Sequence, residues 1–566
     1  MQKIKTLLIE ALAKIDGTDA KLLELTAATQ LAFGDFQTNV AMQHAKKLKK
    51  NPRELAQEII QAIPENDILQ SVEVAGAGFI NLRVRPEVLG AEVVQLGQDT
   101  NLGIPQSGKG QRVVIDYSSP NVAKTMHIAH LRSTIIGDAI KRLHLASGYE
   151  VIADNHIGDW GTQFGKLLVA YKTFPKPEDI SEDSIEYLEK LYQNFNNRAE
   201  SEPELQEQAR AELVSLQKKE EPNYSLWKQF IQTSLKEFDE VYQRLGIQFD
   251  TVHGESFYND QLQSLVDELK HKELIRESEG AQVAFFENDQ YPPCVIQKGD
   301  GAFLYATTDL ATVRYRIQTY QPKRIIYVTD SRQKLHFEQF FSIAHRAGWH
   351  CDMQHVMFGL MKFAEGVVMS TRKGAVIPLR DLLDEAEKRA FQVLEFVDYP
   401  DDEKKEIARV VGLGAVKYQD LSQNPASDIV FQWDKALNLQ GNSAPYLHYA
   451  YARVRGIYAK HQEKFPEDSL ENASIVPQLE IERDLCLYLL QFGSVVHRAT
   501  QTCKPNLLAD WLFGAASRFA AFYNQAPILK EESSAIRHSR LRLAMVFSQC
   551  MKQGLYILGM DTLERM

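Results

Sequence analysis

His127 and His130 stand three residues apart, behind a short apolar run, Val113-Val114-Ile115, and a polar turn, Ser118-Ser119-Pro120-Asn121. At that spacing both imidazoles fall on one face of a helix that starts near Met126. The free N–H groups and the dipole at a helix start favour a phosphate, and two imidazoles add side-chain donors. The chemistry this suits is nucleotide binding, and Lys124, three residues before His127, adds a cation. A second pair, Tyr305 and Asp309, is spaced so that in a helix a hydroxyl and a carboxylate share a face and can address one ligand. Taken singly, a His-x-x-His also describes two packed or surface histidines, and Asp309 an ordinary helix-start residue.

The elements that must position these groups read as a nucleotide-binding α/β unit. Val113–Ile115 has the composition of a buried parallel strand. Strand, polar turn and helix place a ligand at the strand's carboxyl end. Gly148 predicts the helix C-cap and Tyr149–Ala153 a second strand. Glycines 158, 161 and 165 describe a loop able to approach a ligand, or a plain turn. From about Phe174 to Arg244 the chain is charged and helical, the main part of an insertion over about 166–300. Strand patterns resume at Val283–Phe286, Ala302–Ala306, Arg324–Val328 and His355–Phe358, which fits a parallel sheet. Residues 1–105 read as a separate small α+β domain: helical patterns at Met1–Ile15 and Val40–Ile63, broken near Pro52, precede the strand-like Ser71–Val84. From Asp401 the pattern is helical to Met566. The expected architecture is a Rossmann-type parallel-sheet core over 106–400, flanked by the α+β domain and an all-α bundle over 401–566.

A length of 566 residues calls for three or four domains. With 44% hydrophobic and 25% charged residues the composition is that of an ordinary globular protein. Met1–Ile15 is amphipathic and carries Glu10, so it reads as a helix and not a signal peptide. No run approaches the ~20 apolar residues of a membrane span. Five scattered cysteines, Cys294, Cys351, Cys486, Cys503 and Cys550, argue for a reduced cytosol and against a disulfide framework or structural zinc. A net charge of −11 argues against wholesale coating of nucleic acid but leaves room for a local footprint. Lys46, Lys47, Lys49, Lys50 and Arg53 form one basic cluster, on charge alone equally a solvated face or an RNA contact.

The stretch SSPNVAKTMHIAHLRSTIIGD resembles the HIGH signature of class I aminoacyl-tRNA synthetases, in the form found in arginyl-tRNA synthetases. The resemblance continues, in the family's order, at NHIGDWGTQFG, LYATTDLA, VMSTRKG and GNSAPYLHYAYARVR. It implies an arginine–tRNA ligase that uses ATP to make arginyl-adenylate and then loads the 3′ end of tRNA(Arg); Mg²⁺ is implied by the ATP chemistry. It further implies that activation needs bound tRNA. FGDFQTNVA and AGAGFINL resemble the family's amino-terminal domain, which touches the tRNA elbow and tips Lys46–Arg53 toward RNA. The helical end resembles its anticodon-binding bundle, where Tyr446 and Arg453 are candidates for base contacts, although core packing accounts for most tyrosines there. A cytoplasmic monomer is expected.

For the site, the resemblance assigns ATP to Pro120, His127, Ala129, His130 and the run Met369, Ser370, Thr371, Arg372 and Lys373. A guanidinium is planar, with five donors, and pairs best with carboxylates. By resemblance Tyr305 and Asp309 hold it, while Asp116, Ser119, Asn121, His130 and Gln333 bind the rest of arginine, with Glu255 a further carboxylate. VMSTRKG departs from the general class pattern, with Val368 and Thr371 at the two lysine positions. Arg372 and Lys373 then become the phosphate cations, together with Lys124. Ala129 replaces the usual glycine and adds a methyl where the nucleotide lies. The rival readings are a small-molecule nucleotidyltransferase, a catalytically dead RNA-binding relative, and a metal-binding His-x-x-His, which lacks a third ligand at suitable spacing.

Overall fold

The computed structural model describes residues 2–28, 30–176, 180–287, 290–363, 377–394, 398–470 and 473–566. At its centre is a four-stranded sheet in the order Asp352–Phe358, Arg324–Asp330, Arg112–Asp116, Glu150–Asp154, every pairing parallel. Val113, Val114 and Ile115 are all buried, as strands covered on both faces require. The signature helix, Ile128–Ala146, lies against the sheet and ends before Gly148, whose φ of +83° suits glycine. Its approach is close at Gly137, where an added Cβ would lie 2.2 Å from the Tyr117 ring.

Between the second strand and Tyr305 the chain leaves the sheet. Helices Thr162–Thr173, Ile185–Ala199, Glu204–Gln217 and Asn223–Leu245 pack around their own apolar cluster. The expected strand near Val283 exists as Ala281–Ala284, but in a small antiparallel sheet with Arg276–Ser278 and Cys294–Gln297. The expected strand Ala302–Ala306 is absent. A helix, Tyr305–Tyr320, starts there instead, because the Thr307 hydroxyl accepts the Leu304 N–H and caps it. Short apolar runs do not separate strand from helix start by composition alone.

At the amino end, strands Thr26–Ala27, Phe36–Thr38, Phe79–Val84 and Leu69–Ala75 make an antiparallel sheet. The helical stretch after Val40 divides into Val40–Leu48 and Pro52–Ala62, with Lys49 left-handed at φ +52° and Asn51 capping the second helix. From 401 the described chain is mostly helical, and its one strand among the described residues, Ile429–Phe431, pairs in parallel with Met361–Phe363. The antiparallel domain and the bundle share one core. They are also joined by a buried ion pair, in which Arg483 donates to both carboxylate oxygens of Asp35 and to the Val84 carbonyl. This is the expected class: a parallel-sheet core, a small α+β domain and a helical bundle. Among the described residues no helix is long and apolar enough to cross a membrane.

Candidate active site

The two histidines form the start of the signature helix. His127 is its N-cap, with extended backbone, and its Nδ1 accepts the Ala129 N–H at 3.2 Å. His130 Nδ1 accepts the His127 N–H at 3.1 Å. This reciprocal capping uses a lone pair on each Nδ1, so each neutral ring carries its proton on Nε2 and offers it as a donor. Burial lowers the pKa of His127 and takes His130 down to about 3. At neutral pH the pair is therefore two uncharged donors at a helix N-terminus, not two cations.

The turn before them is strained and over-determined. Ser118, Ser119 and Ala123 hold φ of +74°, +49° and +61°. The Ser118 N–H donates to Ser133 Oγ and the Ser119 N–H to Asn155 Oδ1, while the Ser118 hydroxyl bonds Thr134 and Tyr242. Such backbone persists only where the surroundings fix it, and it clusters at functional sites.

These residues border a cleft of about 870 Å³ at the carboxyl ends of the strands. Asp116, Ser119, Asn121, His127, Ala129, His130, Glu255, Tyr305, Asp309 and Gln333 all line it. Tyr305 is 75% exposed, and Asp309 follows one helical turn later. The Asp309 carboxylate accepts from His336 Nε2 at 2.5 Å. Glu255 is half-buried, and desolvation raises its pKa to about 7. Asp116 is not a free carboxylate: its Oδ2 accepts from Arg316 Nη2 at 2.7 Å, and its Oδ1 from the Ser119 hydroxyl. The same Nη2 reaches Asp154 at 2.6 Å. Arg316 is fully buried, and its Nε and Nη1 have no hydrogen-bond partner among the described residues.

Pro120 and Lys124 are not among the lining residues. The Lys124 ammonium lies 5.4 Å over the ring of Tyr192, on the insertion helix Ile185–Ala199. Met369, Ser370, Thr371, Arg372 and Lys373 lie outside the described residues. Of the loop glycines, Gly158 lines the cleft, but Gly165 sits close against the Ala209 carbonyl, so its small size serves helix packing within the insertion. Sequence reasoning missed His336, His156, Arg332 and Phe358, which also border the cleft, and Arg316 beneath it. His336 carried one usable signal, lying three residues after Gln333.

Outside the cleft, Lys46, Lys47, Lys49, Lys50 and Arg53 are all exposed. Lys50 pairs with Glu58, and Arg53 donates to the Gly76 carbonyl. Tyr446 packs its ring against Phe513, partly buried in the bundle. Arg453 lies over the rings of both Tyr449 and Tyr523, two aromatics more than a third exposed. One group among the described residues has metal-ligand spacing: His461, Asp468 and His538. Arg537 already donates to the same Asp468 oxygen that His538 approaches, so a guanidinium meets that charge.

The chain matches the arginyl tRNA synthetase N-terminal domain over residues 2–84, the class I (R) tRNA synthetase catalytic domain over 92–433, and the DALR anticodon binding domain over 447–566. It is 46% identical to the arginine–tRNA ligase of Fusobacterium nucleatum over 97% of this chain and 96% of that one. It is 40% identical to the arginine–tRNA ligase of Idiomarina loihiensis over the whole of both. The arginyl-tRNA synthetase structure from Plasmodium falciparum superposes with a TM-score of 0.81 at 28% identity, covering 100% of this chain and 99% of that one. The Thermus thermophilus structure gives the same score at 24% identity, with full coverage of both chains. A strained turn, a histidine-capped helix and a carboxylate-lined cleft thus sit inside a chain that, by these matches over its whole length, belongs to the arginyl-tRNA synthetases of class I.

Proposed function

We propose that the cleft beside the signature helix is where this arginine–tRNA ligase joins L-arginine to ATP and passes the arginyl group to tRNA(Arg). One observation carries the assignment: the cleft is lined by two chemically opposite sets of groups. Two neutral imidazoles and a helix N-terminus offer donors, which suits phosphate. Asp309, Glu255 and Tyr305 offer carboxylates and a hydroxyl, which suits a guanidinium.

In the first step an arginine carboxylate oxygen attacks the α-phosphorus of ATP. A new P–O bond forms, the bond from that phosphorus to the bridging oxygen breaks, and pyrophosphate leaves with the electron pair. His127 and His130 donate through Nε2 to phosphate oxygens, stabilising charge without giving up a proton. Asp309 and Tyr305 hold the guanidinium, and Ser119, Asn121 and Gln333 address arginine's remaining polar groups. Asp116, paired with an Arg316 that it shares with Asp154, shapes the turn that carries Ser119. Ala129 borders the nucleotide. In the second step a ribose hydroxyl of the terminal adenosine attacks the arginyl carbonyl, and AMP departs.

Lys124, Arg372 and Lys373 supply phosphate cations in this reading. Mg²⁺ arrives with ATP as substrate, because the cleft has no cluster of carboxylates at ligand spacing among the described residues, and this ion is commonly held by substrate phosphates and water. The exposed Lys46–Arg53 cluster and the Tyr449–Arg453–Tyr523 surface are RNA contacts. One chain supplies every part, so a monomer in the cytoplasm suffices. The test is arginine-dependent ATP–pyrophosphate exchange with and without tRNA. Exchange only with tRNA is expected. Exchange without tRNA would remove the coupling, and none under either condition would overturn the assignment.

A further inference from the structure

Three separate segments carry the proposed arginine pocket: the turn with Ser119 and Asn121, the segment at Glu255, and the helix Tyr305–Tyr320 with Tyr305 and Asp309. One buried side chain is linked to all three. Arg316 lies on that helix, where Tyr305, Asp309, Thr312 and Arg316 follow the spacing of a single face. Tyr305 and Asp309 line the cleft, while Thr312 and Arg316 are buried. The Arg316 Nη2 carries two hydrogens and donates to two carboxylates, Asp116 at 2.7 Å and Asp154 at 2.6 Å. Its guanidinium also lies 5.3 Å over the ring of Tyr327, which borders the cleft.

Each carboxylate passes the link to another wall of the pocket. Asp116 ends the strand Arg112–Asp116, and its second oxygen accepts the Ser119 hydroxyl at 3.1 Å, which fixes the turn. Asp154 ends the neighbouring strand, directly opposite Asp116 in the parallel register. Its second oxygen accepts the Thr251 hydroxyl at 2.7 Å and the His253 N–H at 3.3 Å. Backbone bonds carry that tie on to Glu255: the Asn155 N–H donates to the Thr251 carbonyl at 3.0 Å, and the Glu255 N–H to the Ile157 carbonyl at 3.1 Å. Two carboxylates held side by side in a buried place repel one another, and the shared guanidinium is what lets them stand together. Arg316 itself is not among the residues that line the cleft.

We infer that Arg316 is a positioning residue for the amino acid: by holding Asp116 and Asp154 together it sets the spacing of Ser119, Glu255, Tyr305 and Asp309 around one substrate guanidinium. It acts through those groups and touches no substrate. The nucleotide end is built differently, because His127 and His130 cap one another and, among the described residues, hydrogen-bond to neither Arg316 nor Asp154. The effect should therefore fall on arginine and spare ATP, a split that a general loss of stability does not produce.

This inference rests on the proposed activity, so wild-type exchange is the first control; without it the assignment fails before Arg316 is tested. In the full-length chain, with saturating tRNA, Arg316→Lys and Asp154→Asn are expected to raise the KM for arginine at least tenfold, with the KM for ATP within twofold. Arg316→Lys keeps the charge on a shorter side chain. Asp154→Asn keeps the volume but leaves one acceptor oxygen, so it can hold Arg316 or Thr251 and not both; it serves where Arg316→Lys does not fold. Arg483→Lys weakens another buried pair, with Asp35, and should lower the melting temperature with both KM values unchanged. An arginine KM within twofold of wild type in a folded Arg316→Lys or Asp154→Asn variant would overturn the inference. So would an ATP KM that rises in step with that for arginine.

Discussion

The carboxylate of Asp309 accepts a hydrogen bond from Nε2 of His336 at 2.5 Å. In the proposed arginine pocket this carboxylate is thus already paired with an imidazole. Both side chains are roughly a quarter exposed, so water can replace either partner as arginine enters. The histidine keeps the carboxylate oriented, and the incoming guanidinium must win it.

From this pairing, Asp309→Ala should raise the KM for arginine about 100-fold or more, because a buried guanidinium left without its carboxylate costs about 3–5 kcal/mol. The KM for ATP should stay within threefold. His336→Ala removes a competitor and should leave the arginine KM unchanged or lower. Pyrophosphate exchange at varied arginine measures both, and an unchanged arginine KM in Asp309→Ala would remove Asp309 from the pocket.

Glu255 gives the cleft a pH dependence. Burial, with a smaller push from Asp309, lifts its pKa to about 7, so it is largely protonated below that pH. A bound guanidinium favours the carboxylate, so the KM for arginine should fall as pH rises from about 6 to 8. The same shift makes Glu255 stabilising to the fold below its unfolded pKa, a contribution lost as pH rises through 7. Glu255→Gln should flatten the arginine dependence. His130, held down to about 3, titrates outside this window. A slope retained in Glu255→Gln would assign it to another group.

Much of this site was legible in the residues because its pieces are local. The strand, turn and helix around His127, and the Tyr305–Asp309 pair, each lie within one element, where spacing fixes geometry. What sequence spacing could not reach is held by long-range partners. Arg316 meets Asp116 across 200 positions, and Arg132 meets Asp420 across 288. A charged residue on a helix reads as solvent-facing unless the opposing carboxylate is known. The false strand at Ala302–Ala306 failed for the converse reason: one Thr307 hydroxyl cap outweighed a run of suitable composition.

The basic cluster makes a separate prediction. Lys46, Lys47 and Lys49 are exposed on one small domain. Replacing all three with alanine should weaken tRNA binding and lower the slope of log affinity against log salt by up to about three. This substitution is preferable to deleting residues 1–105, because that domain shares a core with the bundle and holds the Asp35–Arg483 pair, so deletion would bare apolar surface. Filter binding over a salt series gives the slope, and an unaltered slope would take the cluster out of the RNA contact.

Ala129 is the departure from the family signature closest to the chemistry. Its N–H is spent on His127 Nδ1, a bond that glycine would make equally well, so Ala129→Gly should leave the imidazole where it is. The methyl itself is exposed and borders the cleft, so it meets a ligand and not protein. Two terms then oppose each other. Glycine in the first helical turn costs at most about 1 kcal/mol of stability, through backbone entropy. Removing the methyl opens the helix start to the nucleotide. The first term falls on folding and the second on ATP, so they separate in measurement: the melting temperature should drop slightly while the KM for ATP stays level or falls. A marked rise in that KM, with arginine unaffected, would mean that the methyl packs productively against the nucleotide, and that this chain uses alanine there to bind ATP rather than tolerating it.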